Sequence, residues 1–246
     1  MSNEVNHRRG MDPIERAQRS GLLRRSAKEA RTYRVKMKMM ATALIALVLL
    51  TGIFYIVSAL YNSAGSFTVK VNRVEMTKYG LSLSETPDMA YKTSQLNMNI
   101  NEGITNIDGG TLPENLDGDF NGEHNGPHYI AYTFYLENAG EIECSTEYTV
   151  DMSGISNGLD DAIRLKLYVD GVSDTYAKMS VDGTPESGTT PFVSSTIMAR
   201  GRFDLMQPKE VHRFTVVIWI EGNDPECVDW LIGGQMKIGM NFSIIH

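Results

Sequence analysis

The first chemistry this sequence suggests is that of a hard metal ion. Asp117-Gly118-Asp119-Phe120-Asn121-Gly122 carries oxygen-bearing side chains at alternate positions, with Gly sixth. That is the first half of an EF-hand-type calcium loop, where positions 1, 3 and 5 supply ligands and the glycine allows the sharp turn. The twelfth position, which should be a bidentate Glu, is His128. The expected Ca2+ ligands are therefore Asp117, Asp119 and Asn121 with Glu123 completing the set, or Asp108 in its place. The other reading is an acidic loop solvated by water. The surroundings are suited to a cation: residues 93–163 contain 13 Asp+Glu and no Lys or Arg, and unbalanced carboxylates repel unless solvated or bridged.

Other reactive side chains are sparse. His124 and His128 lie close in sequence, but Gly126-Pro127 between them breaks the helical spacing that would aim two imidazoles at one transition metal. Cys144 and Cys227 are the two cysteines. They either form one disulfide, permitted in an exported domain, or remain two thiols. Asp224-Pro225-Glu226 reads as an acidic surface turn. There is no His-Glu-x-x-His, no Gly-x-Ser-x-Gly, no phosphate-binding glycine loop and no dinucleotide fingerprint. Besides Ca2+, no cofactor is implied, and an enzyme, at most an envelope hydrolase, is the least supported class.

The elements that must hold these residues follow from charge and periodicity. Residues 1–38 hold 11 Lys+Arg against 4 Asp+Glu, whereas the rest of the chain holds 12 against 26. A basic head on an acidic body indicates two compartments and excludes a nucleic-acid-binding surface on the body. Between them, residues 39–60 (MMATALIALVLLTGIFYIVSAL) are 22 residues without a charge. As a helix they would span about 33 Å, matching a hydrocarbon core of about 30 Å. Arg24, Arg25, Lys28, Arg31, Arg34, Lys36 and Lys38 precede this run, and no basic residue follows it until Lys70. The positive-inside rule then puts residues 1–38 in the cytoplasm as a basic tail facing the lipid bilayer, 39–61 across the membrane, and 62–246 outside. Val57-Ser58-Ala59 also resembles a small-residue cleavage site, so a removed signal peptide is the alternative to a retained anchor. In the tail, Asp12, Pro13 and Glu15 predict a short helix over 13–20, ended by Gly21.

Beyond residue 66 the period becomes two. Phe67, Val69 and Val71 alternate with polar residues, as do Ile130 to Leu136, Tyr148 to Met152, Ile163 to Val169, Phe214 to Ile220 and Met236 to Ile244. Asp170-Gly171 and Gly233-Gly234 suit tight hairpins. The expected fold is all-β, an antiparallel β-sandwich of jelly-roll-like form outside the membrane, preceded by one transmembrane helix. The Asn-, Gly- and Asp-rich stretch near 97–127 is a long acidic insertion expected to decorate one end of the sandwich. The uncharged segment 129–136 is expected to be a central strand. If the body assembles, segment 66–74, the strand that emerges from the membrane, is the expected edge for pairing with another chain, with Lys70 and Arg73 placed to regulate it.

Two stretches, 129–140 (YIAYTFYLENAG) and 216–224 (VVIWIEGND), together with an apolar segment leading straight into a strand, resemble the camelysin-type biofilm-matrix fibre proteins of bacteria. The resemblance implies an exported jelly-roll-like sandwich that assembles into fibres at the cell surface, with other copies or other envelope proteins as partners. The long basic head and retained anchor depart from a secreted, processed subunit. The expected function is a single-pass, non-enzymatic cell-surface protein with a structural, adhesion or assembly role. The alternative is a calcium-dependent extracellular module that binds ligands such as glycans.

Overall fold

The computed structural model describes residues 13–62, 67–72, 80–98 and 103–245. The chain divides into two units, residues 1–61 and 62–246.

The first unit is helical. Helix α1 runs from Pro13 to Asn62, 50 residues without interruption. Pro13 opens it at the position where a missing N–H costs nothing, while Asp12 lies outside the described residues. Gly21 does not end the helix, contrary to the sequence expectation. A single glycine costs only about 1 kcal/mol in a helix, too little to interrupt a long run of Ala, Leu, Met, Lys and Arg. Within the apolar part, Thr42 Oγ1 donates to Met39 O at 2.9 Å and Thr51 Oγ1 to Val48 O at 2.9 Å. These two hydroxyls are thus satisfied by the helix's own backbone. The stretch from Arg31 to Tyr55 has a mean hydropathy of 2.0 and is not covered by protein. Of the basic flank, Arg31, Arg34, Lys36 and Lys38 are exposed. Arg24, Arg25 and Lys28 lie on the helix, and their side chains fall outside the described residues.

The second unit is built of strands. These are β1 (Phe67–Val71), β2 (Leu81–Ser84), β3 (Gln95–Met98), β4 (Gly122–Glu123), β5 (Tyr129–Asn138), β6 (Cys144–Ser153), β7 (Ile163–Val169), β8 (Val172–Ala177), β9 (Thr190–Pro191), β10 (Ile197–Met206), β11 (Val211–Ile220) and β12 (Lys237–Ile245). One sheet has the order β10-β6-β12-β1-β3; the other has β2-β5-β11-β7-β8-β9, with β4 also on β5. The inward residues of both sheets form one core, including Phe67, Val69, Val150, Met240 and Phe242 from the first and Leu83, Phe134, Leu165, Phe214 and Val216 from the second.

The alternating pattern therefore marks the right faces, but three expectations need correction. The sheets are mixed rather than wholly antiparallel: β1 runs parallel to β12, and β8 parallel to β9. Strand β1 is not a free edge, because β12 and β3 pair with it on its two sides; Ser66, Arg73 and Val74 fall outside the described residues. Gly233-Gly234 makes no hairpin. It follows a 3-10 turn, Asp229–Leu231, and leads the chain into β12. Asp170-Gly171 does form the tight hairpin between β7 and β8, with φ of 51° and 83°, the positive pair that a type I′ turn requires. Strand β5 is interior, between β11 and the β2/β4 side.

The acidic insertion does not decorate an end. Its described part lies across the outer face of the seven-stranded sheet. Leu116 packs there with Ala131, Tyr168, Val217 and Trp219 in a second core, joined by Ile107 and Leu112. This explains why β5 is buried on both faces, and why Ala131, Thr133 and Tyr135 on its outer side are uncharged; Glu137, farther along the same side, is buried as an ion pair with Lys92.

Candidate functional site

The calcium-loop residues are placed by this packing. Arg213, pointing outward from β11, binds the Asp117 carboxylate, and its Nη1 donates to Asp117 O at 3.1 Å. Thr215 Oγ1 donates to Asp117 Oδ1 at 2.7 Å. The Asn121 Oδ1 accepts from the Tyr135 hydroxyl at 2.8 Å, and Glu123 Oε1 accepts from Asn125 Nδ2 at 2.6 Å. Asp119 is exposed. Three of the four expected ligands thus have different protein partners, and Asp117, Asp119 and Glu123 do not bring their carboxylates together as one group among the described residues; a guanidinium already neutralises Asp117. The motif's geometry is that of a clasp that fastens the insertion to β11. His124 stacks on Phe120 at 4.6 Å, and His128 Nδ1 pairs with Thr105 Oγ1 at 2.6 Å, so the imidazoles have separate partners as well.

The cysteines do not pair. Both are free thiols, Cys144 buried and Cys227 half-buried. Cys144 starts β6 opposite Met206, whereas Cys227 lies beyond the far end of β11, in the segment that leads to the Asp229–Leu231 turn. The ten-residue length of β6 separates these ends by about 30 Å, far beyond the Cα separation of about 7 Å that a disulfide bridges. Burial pushes the Cys144 thiol up, opposed by Thr146. Native alkylation should accordingly modify Cys227 first and reach Cys144 only on unfolding. Denatured, unreduced protein that offers no thiol to the reagent would contradict this arrangement.

Carboxylates do converge elsewhere, around the Asp224-Pro225-Glu226 turn, which the sequence marks only as an acidic surface turn. Arg164, the second residue of β7, is buried and binds Asp224 in the turn after β11. Glu186, from the 178–189 connection, reaches the same guanidinium at 3.7 Å. Glu226 N donates to Asp224 Oδ1 at 2.8 Å, and Val181 N donates to Glu226 Oε1 at 3.0 Å. Oxygens of Glu186, Asp224 and Glu226 lie within 4.8 Å of one another, the one such group of His, Cys, Asp or Glu side chains found among the described residues. Burial raises the Asp224 pKa, but the hydrogen bonds from Glu226 and the Arg164 charge outweigh it and hold it low. The Glu226 carboxyl is pushed up, chiefly by its hydrogen bond to Asp224. Nearby, Lys178 Nζ lies 2.6 Å from both Asp160 and Asp161. Burial lowers its pKa, yet those two carboxylates raise it overall.

Two cavities adjoin this end. One, of about 270 Å³, is lined by Gly109, Arg164, Glu186, Trp219 and Glu221. Glu221 is saturated: it accepts from Trp219 Nε1 at 3.0 Å, Gly109 N at 3.1 Å and Asn223 N at 3.2 Å. The other, about 450 Å³, is lined by Ile104, Leu159, Ile220, Val228, Leu231 and Ile232. With Arg164 and Glu221 both committed to protein partners, the polar groups tie β7, the 178–189 connection and the 221–226 turn together. That is the chemistry of a buried clamp, whose groups have their partners before any ligand arrives.

No protein-family model matches the chain, and no curated protein matches it. Among solved structures, a beta-glucosidase from Kluyveromyces marxianus in complex with glucose aligns at 10% identity with a TM-score of 0.22. The alignment covers 67% of this chain and 15% of that one. A likeness this slight carries no argument about activity.

Proposed function

We propose that this chain is a single-pass, membrane-anchored protein with a non-enzymatic structural, adhesion or assembly role, whose β-sandwich stands outside the membrane. One observation carries the reading. The described apolar side chains of α1, up to Tyr55, are exposed, and the strand unit has hydrophobic cores of its own. A bilayer is the environment that covers such a stripe. The basic flank before the apolar run supports an inside N-terminus.

Strand order supports a jelly-roll reading of the outer unit. In chain order the eight long strands are β1, β5, β6, β7, β8, β10, β11 and β12. They fall into the orders β1-β12-β6-β10 and β5-β11-β7-β8, the arrangement of a jelly roll with its first strand reversed. The stretches that resemble biofilm-matrix proteins fall largely on β5 and β11, paired in register through Ile130–Ile218 and Phe134–Phe214. They therefore speak for a shared sheet centre more than for a shared assembly surface. The long edge strand β10 carries Arg200, Arg202 and Asp204 and two register shifts, devices that oppose casual strand addition.

Full-length protein should remain with the membrane pellet through alkaline extraction and keep an N-terminal tag. Deleting residues 39–61 should release it. A membrane-free full-length protein, or a mature form that begins just after Ala59, would overturn the anchor.

A further inference from the structure

The end of the body that carries the second cavity also exposes a concentrated set of large apolar side chains. Val228, Trp230 and Ile232 stand on the turn that surrounds that cavity, and Met179 and Val181 stand on the neighbouring connection, joined to it through Val181 N and Glu226. Trp230 is 74% exposed and Ile232 77%. The side chain between them, Leu231, is buried, so the turn is fixed in place by one residue while its neighbours are presented outward. Exposed apolar groups gathered this way mark a contact surface.

The course of the chain identifies the occupant. Phe67 opens β1 opposite Ile238, the second residue of β12, so the chain enters the body at the same end as the 228–236 segment. Five peptide steps join Asn62, the last residue of α1, to Phe67. They span at most about 18 Å, whatever their path. If α1 is anchored in a bilayer, that end of the body is held within this distance of the headgroups. A tryptophan flanked by aliphatic residues is the chemistry that settles at the lipid–water boundary. We infer that the turn bearing Val228, Trp230 and Ile232 is a second, peripheral contact with the bilayer, inserting into the headgroup region of the leaflet from which the body emerges. The inference rests on the anchored reading above. Asp229 and Glu226 flank the turn, so a zwitterionic surface suits it better than an anionic one.

The protein supplies its own probe, since it has two tryptophans and the other, Trp219, is 4% exposed. Full-length chain is reconstituted into phosphatidylcholine vesicles, ordinary or brominated on the upper acyl chain, and vesicles are floated before fluorescence is read. Brominated lipid should quench roughly half of the tryptophan emission. Trp230→Phe, a change on an exposed side chain, should remove that quenching while leaving the melting temperature in place. Protein that floats with the vesicles but shows equal emission in both lipids overturns the peripheral contact and leaves the anchor standing. Protein that does not float overturns the anchor and the contact with it.

Discussion

Replacing Asp224 by Asn should lower the unfolding free energy by about 3–5 kcal/mol, because it leaves the Arg164 guanidinium buried without its counter-charge. The Asp224 side chain is 0% exposed and that of Arg164 is 4%. Arginine cannot escape by deprotonating, and Glu186, at 3.7 Å, is too far to replace the lost bond. The pH dependence follows from the direction of the shift. Asp224 is held low in the folded state, first against its own burial, by Glu226 and Arg164. Its contribution is fully present above the unfolded carboxylate value near pH 4 and is lost as pH falls through the lower folded value. Glu226, raised by its bond to Asp224, acts in the opposite sense. It stabilises at low pH, and that contribution fades as pH rises through its elevated value. Urea titrations of wild type and Asp224→Asn between pH 2 and 7 measure both (about this span brackets the carboxylate range). The gap between them should be widest near neutrality and narrow in acid. Equal midpoints at neutral pH would show that the clamp contributes nothing.

Phe214→Ala should cost a similar amount, about 3–5 kcal/mol, through loss of packing and the cavity left behind. Phe214 is fully buried in β11. Its ring stacks on Phe134 at 5.2 Å and 6°, and meets Phe242 edge-on at 5.2 Å and 73° and Tyr148 at 5.5 Å and 80°. Those partners come from β5, β12 and β6, so one ring joins both sheets. Aromatic pairs of this geometry add about 0.5–1.5 kcal/mol each beyond area burial. The Phe203 ring touches the same cluster from β10 at 5.9 Å but is only partly buried, and Phe203→Ala should cost clearly less. Chemical denaturation of both variants decides the order. If truncating Phe203 were the more damaging change, the centre of the core would lie elsewhere.

The clarity of each feature in the sequence tracked the range of the interaction behind it. Strands such as β1 and β11 were readable because burial on one face imposes period two, and the β7–β8 hairpin because only certain residues accept positive φ at both central positions. The uncharged run in α1 was readable from hydropathy alone. The site was much less legible. Arg164 occupies an outward position of β7, where alternation predicts solvent; it is buried because residues 178–189 and 221–226 fold over it. Asp224 looked like half of a surface turn for the same reason. Asp117 matched a calcium loop locally, yet its partner Arg213 is 96 residues away. The parallel pairing of β1 with β12 joins nearly opposite ends of the body and leaves no local signature.

The central claim, a retained anchor with the strand unit outside, is tested most directly by protease treatment of intact cells that carry a different epitope at each end of the chain. The account predicts that the C-terminal epitope is lost from intact cells while the N-terminal epitope survives on a membrane-bound fragment containing α1. A C-terminal epitope that stays protected until the cells are lysed would contradict it.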